Sequence, residues 1–446
     1  MVKRGLTEGS VFSNLLSFSL PFLLAYFLQT LYGTVDLFLV GRLCDVASTT
    51  AVSVGSQIMH MLTVMIVGLS MGTTVCVAQA VGARDSKQAA RSVGNSAGLF
   101  LSVSLVLTMV LLLSVRAVVG WMSTPAEAVE GTVAYLKVCF FGIPLIAAYN
   151  TVCAAFRGLG DSKSPMIFVA ISCAVNIGLD ILLIGPMNLG AIGAALGTVL
   201  AQAVSVVCAW GAFLRQKAVR LQKSDWRPQK REIRQLLSVE LPVAMQDGLV
   251  QVGFILITVI ANRRGLTDAA AVGIVEKMIG FLFLVPSSML SGVSAIAAQN
   301  LGAGQEKRAR QTLFYAMALS AGFGLAATLA VLPTAPLLVH LFTREDAVAL
   351  AGGAYLRGYI PDCLLAGIHF CFSGYFCACN RSGISFLHNI IAVALVRVPG
   401  AYFASRWFPD TLFPMGLSTV AGSLLSVIIC CVAFWTIEKG RRRKEG

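Results

Sequence analysis

Apolar stretches of roughly twenty residues recur from one end of this 446-residue chain to the other. A helix rises about 1.5 Å per residue, so each stretch is long enough to cross about 30 Å of hydrocarbon. The spans begin near residues 12, 51, 92, 130, 164, 190, 236, 270, 311, 352, 385 and 412, and short loops between them hold most of the charge. Soluble domains carry about 25% charged residues; this chain has 12%, with 57% hydrophobic residues and a mean hydropathy of +0.80. It reads as an all-α membrane protein of twelve transmembrane helices. Lys3 and Arg4 precede an apolar run that continues past residue 35 without a small-residue cleavage site, which reads as a retained first span.

Orientation follows from the bases. Twenty-four Lys and Arg fall on one side of the twelve-span arrangement and six on the other, the six being Arg42, Arg116, Arg263, Arg264, Arg344 and Arg406. By the positive-inside rule both termini and the central loop are expected in the cytoplasm. The net charge of +13 is then mostly topology rather than an affinity for nucleic acid.

The chain is duplicated. "LLSFSLP" at 15–21 returns as "LLSVELP" at 236–242, "VAQAVGARDSKQAAR" at 77–91 as "AAQNLGAGQEKRARQ" at 297–311, and "AYLKVCF" at 134–140 as "AYLRGYI" at 354–360. The offsets are 221, 220 and 220. Three matches at nearly constant offset mark an internal repeat. Six spans per repeat is an even number, so both halves enter the membrane in the same direction as parallel repeats. The expected organisation is two pseudo-symmetric six-helix bundles, at 1–214 and 235–437. A basic cytoplasmic linker at 215–234 joins them and a basic tail follows at 438–446. The linker reads as a solvated tether, with a contact to lipid headgroups as the other reading. Two such bundles flanking a cleft suit a carrier that rocks between inward-open and outward-open states.

Polar residues inside these spans are costly, so each ionisable one needs a partner or a watery cavity. In "CAVNIGLDILLIG", 173–185, Asn176 and Asp180 lie four apart, on one helix face. Counting from the outer ends of the spans, Asp36 and Asp180 come about 9 Å deep, and Asn176 and Thr198 about 15 Å. The small-residue run "GAIGAALGT", 190–198, permits close helix approach and leaves the Ala194 carbonyl as a further oxygen. Two carboxylates, an amide, a hydroxyl and a carbonyl suit a hard cation such as Na⁺, or a proton, and the two acids would titrate as a coupled unit. The same set would also serve as a hydrogen-bonded staple between helices. The second half lacks it, since the positions matching Asp36, Asn176 and Asp180 are Ile257, Val396 and Gly400.

That second half carries Asp247, Glu276, Lys277, Asp362 and Arg397 inside its spans. Pairing of Lys277 or Arg397 with Asp247 or Asp362 across helices is one reading, and a carboxylate facing cationic cargo is the other. Pro21 and its counterpart Pro242, with prolines at 144, 286, 361 and 399, interrupt spans as hinges or static bends. The twelve cysteines and four histidines are scattered without metal-ligand spacing. No nucleophile-base pair appears, so an enzyme is not expected.

The stretches "VDLFLVGR" (35–42), "AQAVGARD" (78–85) with its echo "AQNLGAGQ" (298–305), "FRGLGDSKSP" (156–165), "NIGLD" (176–180) and "GAIGAALGT" (190–198) come in the order and spacing of one family. Over nearly its full length the chain resembles the multidrug and toxic compound extrusion (MATE) transporters, which are cation-coupled exporters with twelve helices in two lobes. The resemblance implies antiport, in which inward-moving H⁺ or Na⁺ drives release of a small organic, cationic or amphipathic compound. It implies a cation site at Asp36, Asn176, Asp180 and Thr198, with the Ala194 carbonyl. It also implies supporting polar roles for Tyr135 and Asn150 and a bending role for Pro21. No cofactor beyond the coupling ion is implied. The partners expected are the cargo and the bilayer, for a monomeric protein. A flippase for lipid-linked saccharides on a similar scaffold is the alternative, but its cavity should be strongly cationic, whereas these spans carry at least as many carboxylates as bases. A channel is a further possibility, told apart by flux that neither saturates nor exchanges.

Overall fold

The structure, a computed structural model, describes residues 5–122, 124–216 and 218–445, with side chains as far as 440. Lys3, Arg4, Lys217 and the bases of the tail from Arg441 onward, all part of the charge count, lie outside these described side chains. Among the described residues there is no strand.

The helices of the first half are α1 (Val11–Leu43), α2 (Val46–Gly82), α3 (Ser86–Trp121), α4 (Ala126–Phe141), α5 (Ile143–Gly158), α6 (Lys163–Ile184) and α7 (Gly190–Arg215). The second half repeats them as α8 (Lys230–Asn262), α9 (Leu266–Leu282) with α10 (Leu284–Gly302), α11 (Glu306–His340), α12 (Asp346–Tyr359) with α13 (Asp362–Ala378), α14 (Ser382–Ile391) with α15 (Val398–Trp407), and α16 (Phe413–Glu445). Ten spans are long and apolar enough to cross a bilayer, and α4–α5 and α12–α13, bent by 42° and 43°, bring the number to twelve. This is the all-α, twelve-helix architecture expected from the sequence.

The prolines sort into two groups. Those at 144, 286, 361 and 399 fall within or just before the first turn of α5, α10, α13 and α15. There the missing N–H costs little, and ahead of Pro144, Pro286 and Pro361 the preceding helix ends. Pro21 and Pro242 instead sit inside the unbroken α1 and α8. Asp45 starts α2 by accepting the Ser48 N–H at 3.0 Å, and its hydrogen bonds from Ser48 hold the carboxyl below the usual carboxylate range.

Two compact units form. One is built around Leu16–Glu240 and includes Gln299–Gly304; the other is built around Leu241–Ala298 and Gln305–Gly446, with Gly9–Leu15 added. In the first, α2 packs on α3, α4 and α5, and α6 on α7. Its cores gather Phe100, Leu136, Phe140 and Ile143 at one end and Phe156, Phe168 and Phe213 at the other. In the second, α11 packs on α12 and α13, and α16 on α12, around Ile279, Tyr355, Tyr359 and Ile360. The repeated "AQxxG" stretches meet reciprocally inside the first unit. The Gly82 Cα faces the Gln299 carbonyl and the Gly302 Cα faces the Gln79 carbonyl, each too closely for any side chain. Gln299 Nε2 also donates to the Gly158 carbonyl at 2.7 Å.

The linker is a fitted element rather than a loose tether. Val219 and Leu221 enter the first unit's core, and Lys223–Trp226 form a 3₁₀ turn. Asn95 of α3 clamps it, its Oδ1 accepting the Gln229 N–H at 2.7 Å and its Nδ2 donating to the Asp225 carbonyl at 3.3 Å.

Candidate cation site in the first half

Three helices supply the site. Asp36 comes from α1, Asn176 and Asp180 from α6, and Thr198 from α7, and Asp36, Asn176 and Asp180 are 7%, 1% and 0% exposed. The i, i+4 spacing on α6 lets Asn176 Nδ2 reach Asp180 Oδ2 at 3.4 Å. Thr198 Oγ1 donates to Asp36 Oδ2 at 3.3 Å. The Asp36 and Asp180 carboxyls are close enough for the charge of each to act on the other, with Asn176 beside them. The four residues that depth counting set within about two helical turns of one another are therefore brought together.

α6 and α7 make this possible by packing closely. Asp180 Oδ1 rests directly against the Cα of Gly197, where no Cβ fits. One turn earlier on α7, Ala194 is 1% exposed. It sits within a continuous helix whose carbonyls are engaged by the i+4 amides, leaving one lone pair of its oxygen.

Asp36 Oδ1, Asn176 Oδ1 and Asp180 Oδ1 are all buried and none has a hydrogen-bond partner. Among the described residues no base pairs with either carboxylate. Buried carboxylates without counter-charge are expensive, so three acceptor oxygens in one such cluster fit a small positive ion. Two carboxyls in contact are compatible with a shared proton or a cation between them.

Tyr135 of α4 stands near, its ring packed on Gly55 of α2 and its hydroxyl within electrostatic range of Asp36 and Cys139. Tyr32, one turn before Asp36 on α1, belongs to the same neighbourhood and escaped the sequence reading. The i, i+4 relation to Asp36 was the available signal. Asn150 faces elsewhere. Its Nδ2 donates to the Ile146 carbonyl at 2.8 Å, and it lines a small cavity with Phe22, Tyr26, Gln29 and Arg157. Arg157 is 8% exposed, donates to Ser70 Oγ at 2.9 Å, and has its guanidinium 5.3 Å from the centroid of the Phe22 ring, next to Pro21.

The second half builds something different. Arg397 Nη2 lies 3.8 Å from Asp362 Oδ2 and donates to Ser423 Oγ at 2.5 Å. Ser423 Oγ is in turn 3.4 Å from His369 Nε2. His369 and His388 stack edge to face with centroids 5.5 Å apart, and Ser373 Oγ lies 3.0 Å from His388 Nε2. The expected cross-helix pair is thus Arg397 with Asp362. Lys277 is exposed, Glu276 Oε2 accepts from Thr258 Oγ1 at 3.2 Å, and Asp247 lies near Cys377. A π-helical turn, Ala392–Arg397, delivers Arg397, where the matching part of the first half is continuous α6 with Asn176. Ile257 is core, and Gly400 packs against Ser418, so the first-half set has no counterpart here.

Comparison with known proteins agrees with this architecture. The MatE family pattern matches residues 21–182 and again 242–403, once per repeat. A probable multidrug resistance protein of Bacillus subtilis, YpnP, is 25% identical over 436 residues, covering 98% of this chain and 96% of its own. The multidrug export protein MepA of Staphylococcus saprophyticus is 24% identical, covering 96% and 93%. A crystal structure of MATE in a bent conformation superposes with a TM-score of 0.92 at 21% identity over 99% and 98% of the two chains. An outward-facing multidrug resistance MATE transporter of the MOP superfamily superposes at 0.90 and 21% identity, again over 99% and 98%. Matched in both halves by the family pattern, the chain belongs to the multidrug and toxic compound extrusion (MATE) family of membrane transporters.

Proposed function

We propose that this protein is a secondary active exporter of small organic, cationic or amphipathic compounds, driven by antiport of H⁺ or Na⁺ through the Asp36–Asp180 pair. One observation carries the reading: Asp36, Asn176 and Asp180, which share one cluster, each keep a buried oxygen without a hydrogen-bond partner, and among the described residues no base pairs with the two acids. An ion entering the cluster relieves the repulsion between the carboxylates, and its departure restores it. Coupling then requires that the cluster hold the ion more tightly in one conformation of the carrier than in the other. Thr198 and Asn176 orient the acids, and Tyr32 and Tyr135 stand in the same neighbourhood. Names of relatives such as MepA, a multidrug export protein, support the assignment of cargo class. The reading places the protein in the cytoplasmic membrane, as a monomer with both termini inside.

A flippase would need bases to hold phosphate, and the described first-half site offers none. The test is transport in proteoliposomes with imposed H⁺ or Na⁺ gradients and a panel of lipophilic cations. Wild-type protein should release ions inward as cargo leaves, and Asp36→Asn and Asp180→Asn should lose this while remaining folded. Full gradient-driven efflux by both variants would refute the assignment.

A further inference from the structure

The linker holds eight bases and two acids between Arg215 and Arg234. Both acids are withdrawn from its surface. Asp225 is 4% exposed, its Oδ2 accepting the Gln222 N–H at 2.8 Å, and Glu232 is 5% exposed, its Oε2 accepting from Gln88 Nε2 at 2.8 Å. The seven described bases are all exposed, and none forms an ion pair among the described residues. What faces outward is cationic throughout.

That face is also fixed in place. The Asn95 clamp holds Asp225 and Gln229 to α3, and the Asp225 carbonyl lies against the Gly94 Cα, so closely that no side chain fits there. A tether needing only length and solubility requires neither a clamp nor the inward turn of both acids. Its neighbours α7 and α8 are membrane spans, so the segment joining Arg215 to Lys230 runs at the bilayer surface. Trp226, 43% exposed, projects beside Trp210 of α7 with ring centroids 6.2 Å apart. Tryptophan favours the headgroup level, where its apolar ring and polar N–H are both accommodated.

We propose that this face, centred on Arg220, Lys223, Arg227, Lys230 and Arg231 around Trp226, binds the headgroups of anionic phospholipids in the leaflet nearest the ends of α7 and α8. The counter-charge that the protein withholds from these bases is supplied by lipid phosphate, and Trp226 sets the depth at which the face meets the bilayer. The inference is independent of the ion-coupling site.

The test uses wild-type protein and the variant R220Q/K223Q/R227Q, each reconstituted in phosphatidylcholine vesicles holding spin-labelled phosphatidylglycerol or spin-labelled phosphatidylcholine. Wild type should immobilise phosphatidylglycerol preferentially. The preference should fall by up to about fivefold for each base removed, and should weaken as salt rises from 0.05 to 0.5 M. A second variant, R344Q/R406Q, alters bases outside the linker and should keep it. Equal lipid selectivity in wild type and the linker variant would overturn the proposal, as would an equal loss in R344Q/R406Q. Binding of inorganic phosphate or a short RNA by the solubilised protein, without phosphatidylglycerol preference in vesicles, would overturn it in favour of a soluble anion.

Discussion

Asp180 Oδ1 rests on the bare Cα of Gly197, so the carboxylate occupies the volume that a side chain on α7 would fill. Gly197→Ala should push Asp180 away from Asp36 or separate α6 from α7. Overpacking of this kind costs about 1–3 kcal/mol, which a twelve-span protein survives. Ion-driven transport should fall tenfold or more while size-exclusion behaviour is kept. Normal coupling in the variant would mean that the carboxylate position is not critical.

Thr198→Ala removes the hydroxyl that donates to Asp36 Oδ2 at 3.3 Å. One such bond is worth about 1 kcal/mol net, so the apparent affinity for the driving ion should weaken roughly fivefold with maximal rate little changed. Thr198→Ser should restore it. Transport measured against ion concentration separates the two variants.

Arg397 and Asp362, with side chains 11% and 0% exposed, neutralise each other in the second half. Removing one partner leaves a buried charge uncompensated, at a cost of about 3–5 kcal/mol. Arg397→Gln and Asp362→Asn should each lower thermal stability in detergent markedly, and the double variant should recover much of the loss. Additive losses in the double variant would show that the two groups act separately.

Phe22→Leu strips the aromatic face from the Arg157 guanidinium and leaves the hydrogen bond to Ser70. The loss should be about 0.5–2 kcal/mol, visible as a lower melting temperature. Arg157→Lys should lose more, because an ammonium cannot reach Ser70, Thr74 and the ring together.

Much of the site was legible because polar residues in lipid-length runs are conspicuous. Asp36, Asn176, Asp180 and Thr198 each stood out against apolar neighbours, and the constant helical rise fixed their relative depths. Gly197 was visible only as one of several small residues, because its role depends on which face of α7 meets α6. His369 and His388 lie 19 positions apart on different helices, and Ser423 joins the network from α16, so their meeting is a product of tertiary packing that spacing does not encode. Asn150 shows the opposite case. An amide in a helix can satisfy itself on the carbonyl four residues earlier, as it does at Ile146. The linker read as solvated because composition counts charges without saying that Asp225 and Glu232 turn inward.

The confinement of the acidic pair to one half of a duplicated chain limits the work the proposed exchanger can do. A single monovalent ion moving down 100 mV releases about 2.3 kcal/mol, which sustains roughly a fiftyfold concentration ratio for an uncharged cargo. A singly charged cation leaving as that ion enters makes the cycle electrically silent, so the voltage contributes nothing and the ion's own concentration ratio sets the ceiling. Pumping power in such an exchanger therefore depends on the charge of what it carries.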